Sequence, residues 1–167
     1  DEGDELIAAQ RTTGKNDIII GTRNGLAARF PEDDVRAVGR SARGVIGIRL
    51  AQDDAVVSAN VVEEGTCLLT VTERGFGKRS RVEDYPVHRR GAKGVISIKT
   101  TERNGKVVGN LQVRDEDQVV MITNNGKLIR IGVSEISLLG RNTQGVKLML
   151  VGDEDRIVSI GRVADTN

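Results

Sequence analysis

The sequence predicts an all-β fold made of propeller-like blades, each of four short antiparallel strands, with strands shared between neighbouring blades. Three observations lead there. First, a basic loop ending in glycine, followed by a short apolar run, occurs three times: 40–49, 89–99 and 140–149. Its glycines, Gly44, Gly94 and Gly145, stand 50 and 51 residues apart, a period typical of repeat architectures. Second, with no Trp, one Tyr and two Phe, any core must be built from Val, Ile and Leu, and 20 Gly supply tight turns. Third, Asn-Gly or Arg-Gly turns separate β-rich runs at the same place in each copy, the mark of a hairpin.

The elements follow in order. A strand is predicted at Glu5 to Gln10, before the first full unit. Apolar runs at Ile18–Ile20, Leu68–Val71 and Val119–Ile122 lead into the turns Thr22–Gly25, Thr72–Gly75 and Thr123–Gly126. Such turns are expected to be type I′, with positive φ at both central residues. Return strands follow at Leu26–Phe30, Phe76–Ser80 and Lys127–Ile131. A long loop then ends in the basic stretch. Strands at Val45–Leu50, Val95–Lys99 and Val146–Leu150 come next. Ile46/Ile48 and Ile96/Ile98 alternate there with Gly47/Arg49 and Ser97/Lys99, as one buried face requires. Lys147 breaks the pattern in the last copy, which predicts an exposed edge. Final strands are expected at Ala55–Val62, Lys106–Val113 and Arg156–Val163. The repeats are placed approximately at 4–52, 53–104 and 105–163. The only helical signal is one turn near Val133–Ile136. Three blades cannot close a ring of about 4–8, so blade faces are left open to self-association.

Composition excludes several classes. A single cysteine, Cys67, cannot form an internal disulfide and reads as a buried strand thiol. No apolar run approaches the roughly 18 residues of a membrane span, and no signal peptide is evident. A soluble, intracellular piece of a larger protein is expected, with no membrane partner. The one histidine, His88, lies in a basic loop away from any candidate nucleophile, and no Cys/His cluster suits zinc. The acidic pairs Asp33-Asp34, Asp53-Asp54, Glu63-Glu64 and Glu116-Asp117 fall in turns and read as solvated. Gly75–Lys78 and Gly91–Gly94 lack both Walker spacing and a following helix, so neither reads as a nucleotide loop.

The net charge of +1 is uninformative, but its distribution is not. Basic residues gather in the repeated loops: Arg40 and Arg43; Lys78, Arg79, Arg81, Arg89, Arg90 and Lys93; Lys127, Arg130 and Arg141. If blades stack with a fixed rotation, these loops form one basic track suited to the regularly spaced phosphates of duplex DNA. Few aromatics are present to stack unpaired bases, which favours duplex over single strands.

Several strings then resemble a known family: Glu83-Asp84-Tyr85-Pro86, Lys93–Lys99, Thr101–Gly105, Val133–Ser137 and Gly140–Val146 are similar to the C-terminal domain of the bacterial DNA gyrase A subunit. The resemblance covers nearly the whole chain. It implies a six-bladed β-pinwheel, of which this chain would be the last three blades, an open half disc. It also implies duplex DNA wrapping in support of ATP-dependent negative supercoiling in the bacterial cytoplasm, at the nucleoid. Implied partners are the rest of the gyrase A subunit, together with the gyrase B subunit. Strand cleavage, ATP and Mg2+ would belong to other parts of the enzyme, so no cofactor and no catalytic residue are expected here. His88–Gly94 resembles the family's heptapeptide Gln-Arg-Arg-Gly-Gly-Lys-Gly but departs at its first and fifth places. By that match Arg89, Arg90 and Lys93 are assigned phosphate contacts. The remaining basic residues rest on the repeat. Two alternatives stay open: the matching domain of topoisomerase IV, and a propeller scaffold for protein partners.

Overall fold

The computed structural model describes residues 3–163. It contains eleven strands: β1 (Asp17–Thr22), β2 (Leu26–Pro31), β3 (Val56–Val61), β4 (Cys67–Thr72), β5 (Phe76–Arg81), β6 (Val95–Ile96), β7 (Val107–Val113), β8 (Gln118–Thr123), β9 (Leu128–Gly132), β10 (Val146–Lys147) and β11 (Ile157–Val163). They form three antiparallel sheets with orders β3-β1-β2-β6, β10-β5-β4-β7 and β11-β8-β9. Each sheet is one blade.

Strand sharing is visible in the orders. β6 lies in the second repeat but completes the first blade, pairing Leu26 with Ile96 and Ala27 with Val95. β10 lies in the third repeat and completes the second blade, pairing Val146 with Gly77 and Lys147 with Phe76. The predicted strand at Val45–Leu50 does not form; only Ile48 bridges, to Ala92. By the same logic its partner would be the second strand of a preceding blade, and no such strand is present among the described residues.

The predicted opening strand at Glu5–Gln10 is also absent, and Leu6 and Ile7 stand exposed. Instead the Gln10 side chain satisfies the outer edge of β3. Its Nε2 donates to Ala59 O (3.1 Å) and its Oε1 accepts from Val61 N (2.9 Å).

The hairpins form where expected but are not type I′. Gly25, Gly75 and Gly126 have φ of 87°, 81° and 83°, whereas Asn24, Arg74 and Asn125 do not adopt positive φ. Gly25 N donates to Thr22 O across a three-residue loop, so a single left-handed glycine closes each turn. The single helical turn predicted at Val133 recurs in every blade, as 3-10 turns at Glu32–Asp34, Val82–Asp84 and Val133–Glu135.

The core sits between blades. Ile19, Ala27, Val62, Leu68, Val82 and Tyr85 pack together at the first junction. Leu69, Val71, Val113, Val119, Met121, Val133, Ile136, Met149 and Ile157 pack at the second. Side chains alternate across β4, so Leu68 serves one junction while Leu69 and Val71 serve the other. The middle blade is thus covered on both faces. A buried polar chain runs through it as well. Ser58 Oγ donates to Asn110 Oδ1 (2.9 Å), Asn110 Nδ2 to Thr70 Oγ1 (2.6 Å), and Ser97 Oγ bonds both Thr70 Oγ1 (3.3 Å) and the Tyr85 hydroxyl (2.8 Å). Burial pushes the Tyr85 hydroxyl's pKa above its usual value.

Candidate nucleic-acid interface

The basic motif Arg89–Lys93 is carried on a loop stapled to the preceding repeat. Gly91 N donates to Gly47 O (2.8 Å) and Arg49 N to Ala92 O (3.0 Å). His88 N donates to Arg29 O (2.9 Å). The turn leads into β6 through Gly94, at φ 80°. A Cβ there would lie 2.6 Å from Ala27 O, so only glycine fits against the neighbouring strand. Gly145 repeats this against Gly77 O at 2.7 Å. These glycines serve close contact between blades, not the approach of phosphates.

Arg90 fastens the loop. Its backbone N donates to Asp34 Oδ2 (2.8 Å), its Nε to Asp34 O (3.0 Å) and its Nη1 to Ile46 O (2.8 Å). Arg141 makes the equivalent bonds one repeat later, Nε to Asp84 O (2.7 Å) and Nη1 to Ile96 O (2.8 Å), and also lies over the Tyr85 ring. All four acceptors keep the repeat's offset, so the basic loop occupies the same place on successive blades. Arg40, their counterpart in the first repeat, is exposed.

Around the stapled loop lies an open concavity of about 460 Å3, lined by Arg49, His88, Arg89, Arg90, Gly91, Ala92, Lys93 and Gly94. No carboxylate lines it. Arg89, Lys93 and Arg49 are exposed, whereas Arg90 is half-buried. Arg49 and His88 were not among the residues predicted from sequence. Arg49's place opposite Ala92 depends on a contact 43 residues away in sequence, which no local pattern signals.

The other predicted residues divide. Arg40, Arg43, Lys127 and Arg130 are exposed, and Arg130 is bonded to Gln118. Arg81 is exposed but lines a different hollow, shared with Glu83, Arg114, Asp115 and Glu116, where charges of both signs mix. Lys78 and Arg79 are not at the surface. Lys78 is fully buried; its Nζ donates to Ser80 Oγ (3.1 Å), Gly140 O (2.6 Å) and Arg141 O (2.7 Å). Burial, with the nearby Arg141 charge, lowers its pKa to about 8. Arg79 is 8% exposed, donates from Nε to Ile136 O (2.8 Å) and pairs with Asp115. As placed, both brace the joint with the third blade; Lys78 is out of reach of a phosphate, and Arg79, tied to Ile136 O and Asp115, lines the same mixed-charge hollow as Arg81.

The acidic turns have structural work. Asp54 Oδ1 accepts from Asn24 N (2.9 Å), and the buried Asp117 accepts from Arg114 N (2.8 Å). Cys67 is half-buried, and desolvation raises its pKa. Among the described residues, no three His, Cys, Asp or Glu side chains stand where they could hold a metal ion. Among the described residues, no helix is long and apolar enough to cross a membrane.

Comparison with known proteins agrees with this architecture. Over 164 residues, 98% of this chain, it is 51% identical to the DNA gyrase A subunit of Klebsiella oxytoca and 49% to that of Escherichia coli K12. The chain spans 19% of each of those proteins. A solved gyrase A C-terminal domain superposes on 92% of the chain with a TM-score of 0.85 and 28% identity, the match covering 52% of that domain. The C-terminal domain of DNA topoisomerase IV also superposes with a TM-score of 0.85, at 26% identity over 90% of this chain and 47% of that one. The family model described as DNA gyrase C-terminal domain, beta-propeller, matches three times, at residues 16–63, 68–113 and 117–164. Three repeat matches fall on three blades, and the chain belongs to the C-terminal β-propeller family of the DNA gyrase A subunit.

Proposed function

We propose that this chain binds and wraps duplex DNA as a non-catalytic module of a gyrase-type topoisomerase. In the whole enzyme it would support ATP-dependent negative supercoiling beside the rest of gyrase A and the gyrase B subunit, in the bacterial cytoplasm. The observation that carries this reading is the carboxylate-free concavity formed by Arg49, His88, Arg89, Arg90 and Lys93 on the stapled loop. Exposed Arg89 and Lys93 supply mobile cations for phosphate oxygens, while Arg90 gives charge and holds the loop's shape. Arg90 and Arg141 fix the second and third loops alike, and the exposed cations Arg40, Arg43 and Arg49 of the first repeat and Lys127 of the third hairpin would extend the phosphate path. Such contacts are read through backbone charge, not base edges, and tolerate any sequence.

The experiment is a salt titration of binding to a duplex of arbitrary sequence. With Arg89→Ala and Lys93→Ala together, the slope of log K against log salt is expected to fall by about 2 units, near 0.9 per lost phosphate contact. Identical slopes for the two proteins would overturn the assignment. The topoisomerase IV alternative shares the fold equally well, but the 49–51% identity to gyrase A sequences favours gyrase. Supercoiling assays with the whole enzyme separate the two.

A further inference from the structure

The exposed cations of the middle blade are not where the repeat would put them. Beside the first blade, the concavity owes its charge to Arg49, Arg89, Arg90 and Lys93. One repeat later the same four places hold Lys99, Gly140, Arg141 and Gln144. Lys99 keeps Arg49's seat: its backbone N donates to Thr143 O (2.8 Å), as Arg49 N does to Ala92 O (3.0 Å). Arg141 is tied to Asp84 O and Ile96 O. Exposed Arg89 and Lys93 have no basic counterpart. The loop that carries free charge on one blade is therefore poor in it on the next.

Charge reappears at the hairpin end of the middle blade. Lys147 on β10 is the cross-strand partner of Phe76 on β5, and its Nζ lies 5.4 Å from the centre of the Phe76 ring. Arg103 reaches the same ring from the turn before β7, its Cζ 5.0 Å from the centre. That turn is fixed by buried Asn104, whose Nδ2 donates to Lys99 O (2.8 Å) and Gln144 O (3.1 Å) and whose Oδ1 accepts from Thr101 N (2.7 Å). Arg74, at the hairpin tip, donates from its backbone N to Asn104 O (3.2 Å). Arg74, Arg103 and Lys147 line one hollow of about 250 Å3 over Phe76, with Asp153 and Asp155 on its wall. All three cations are exposed, and among the described residues none is in an ion pair. Asp155 instead accepts from Asn125 Nδ2 (2.8 Å). The first-repeat counterparts of Arg74, Phe76, Arg103 and Lys147 are Asn24, Leu26, Asp53 and Ile96, which supply neither ring nor cation.

A ring holds a cation differently from a carboxylate. It fixes the position through its quadrupole and leaves the net charge uncancelled. Phe76 is 4% exposed, so it cannot stack on an unpaired base, and what the cluster turns outward is charge and N–H donors. Two guanidinium forks and an ammonium suit phosphate oxygens. They outnumber the two carboxylates of the hollow. Exposed Lys99 adjoins both regions, since its N is bonded to the third basic loop and its O to the Arg103 turn.

We propose that Arg74, Arg103 and Lys147 form a second phosphate seat, separate from the concavity. A duplex held by Arg89 and Lys93 on the first blade passes Lys99 to the hairpin end of the middle blade, and not to that blade's own basic loop. The phosphate path thus changes level between the two blades. This inference rests on the duplex binding proposed above and names the residues that carry it on the middle blade.

Salt titration of duplex binding by this chain tests it. Arg103→Ala with Lys147→Ala is expected to lower the slope of log K against log salt by about 2 units, near 0.9 per lost phosphate contact. Arg103→Lys with Lys147→Arg keeps both charges and is expected to keep the wild-type slope. A second readout locates the seat. In a Cys67→Ser background, K93C and K147C are each expected to crosslink to a duplex carrying a thiol tether on one phosphate, at different positions as the tether is walked along the strand. An unchanged slope for the alanine pair, while Arg89→Ala with Lys93→Ala lowers it, overturns the second seat and leaves the proposed function standing. Wild-type binding that ignores salt overturns both. A slope that falls as far with the charge-keeping pair, or K147C crosslinking at no phosphate or only where K93C does, overturns the seat. So does loss of poly-glutamate binding by the alanine pair with duplex binding intact, which would assign the cluster to an acidic protein segment.

Discussion

Lys78 shows how a single residue can be misread from its neighbours. In sequence it stands with Arg79 and Arg81 and reads as one of a basic cluster. In the fold β5 belongs to the middle blade, which is covered on both faces, so alternation no longer sends every second side chain to water. Its ammonium is spent on Ser80, Gly140 O and Arg141 O, and it holds the third basic loop in place. Lys78→Met removes the ammonium's hydrogen bonds to Ser80 Oγ, Gly140 O and Arg141 O, leaving those carbonyls only their bonds from Thr143, and is expected to cost about 1–3 kcal/mol in urea unfolding at neutral pH. The pH dependence has a definite sign. Below about pH 8 the lysine is protonated in both folded and unfolded chains. Between about 8 and the unfolded value of 10.5 the unfolded chain binds more protons, so stability attributable to Lys78 rises with pH. The gap between wild type and Lys78→Met is expected to widen across that window; a gap that narrows would contradict the buried, depressed lysine.

At the scale of the element, the repeated glycine defines the blade junction. Gly44, Gly94 and Gly145 all hold positive φ, but only the last two press on a neighbouring backbone. Gly94→Ala and Gly44→Ala share the cost of a left-handed alanine, roughly 1–2 kcal/mol. Gly94→Ala adds a clash with Ala27 O, so its loss in thermal stability is expected to be clearly the larger. Equal losses would mean that the junction is looser than its 2.6 Å approach indicates. The hairpins were legible in sequence because a turn glycine between β-rich runs is a local signal. Turn type was not, because three-residue loops need one left-handed residue and two-residue type I′ loops need two. Val45–Leu50 was misread for a different reason. Its alternation is real, but a strand needs an edge to pair with, and that edge belongs to another blade.

Across the whole molecule, stability passes from blade to blade through the two hydrophobic junctions, the Ser58–Asn110–Thr70–Ser97–Tyr85 chain and the arginine bonds. Arg141→Ala removes two donors from the second junction and the cation lying over Tyr85. Hydrogen exchange is expected to speed up in β9, β10 and β11 more than in β1 to β3. Uniform acceleration would instead indicate one indivisible unit.

The sequence by itself determined the all-β class, the three-fold repeat and the hairpins, because spacing, turn residues and apolar period act over a few neighbours, whereas which strand each blade lends to the next was decided by pairing about 70 residues apart. It also marked Arg89 and Lys93, which the structure leaves exposed on the concavity's wall. Only the tertiary structure decided which cations are free and which are bolts. Lys78, Arg79, Arg90 and Arg141 find their carbonyl partners 44 to 63 residues away, across blade junctions that no local pattern encodes. The same long-range packing brought Arg49 and His88 to the motif.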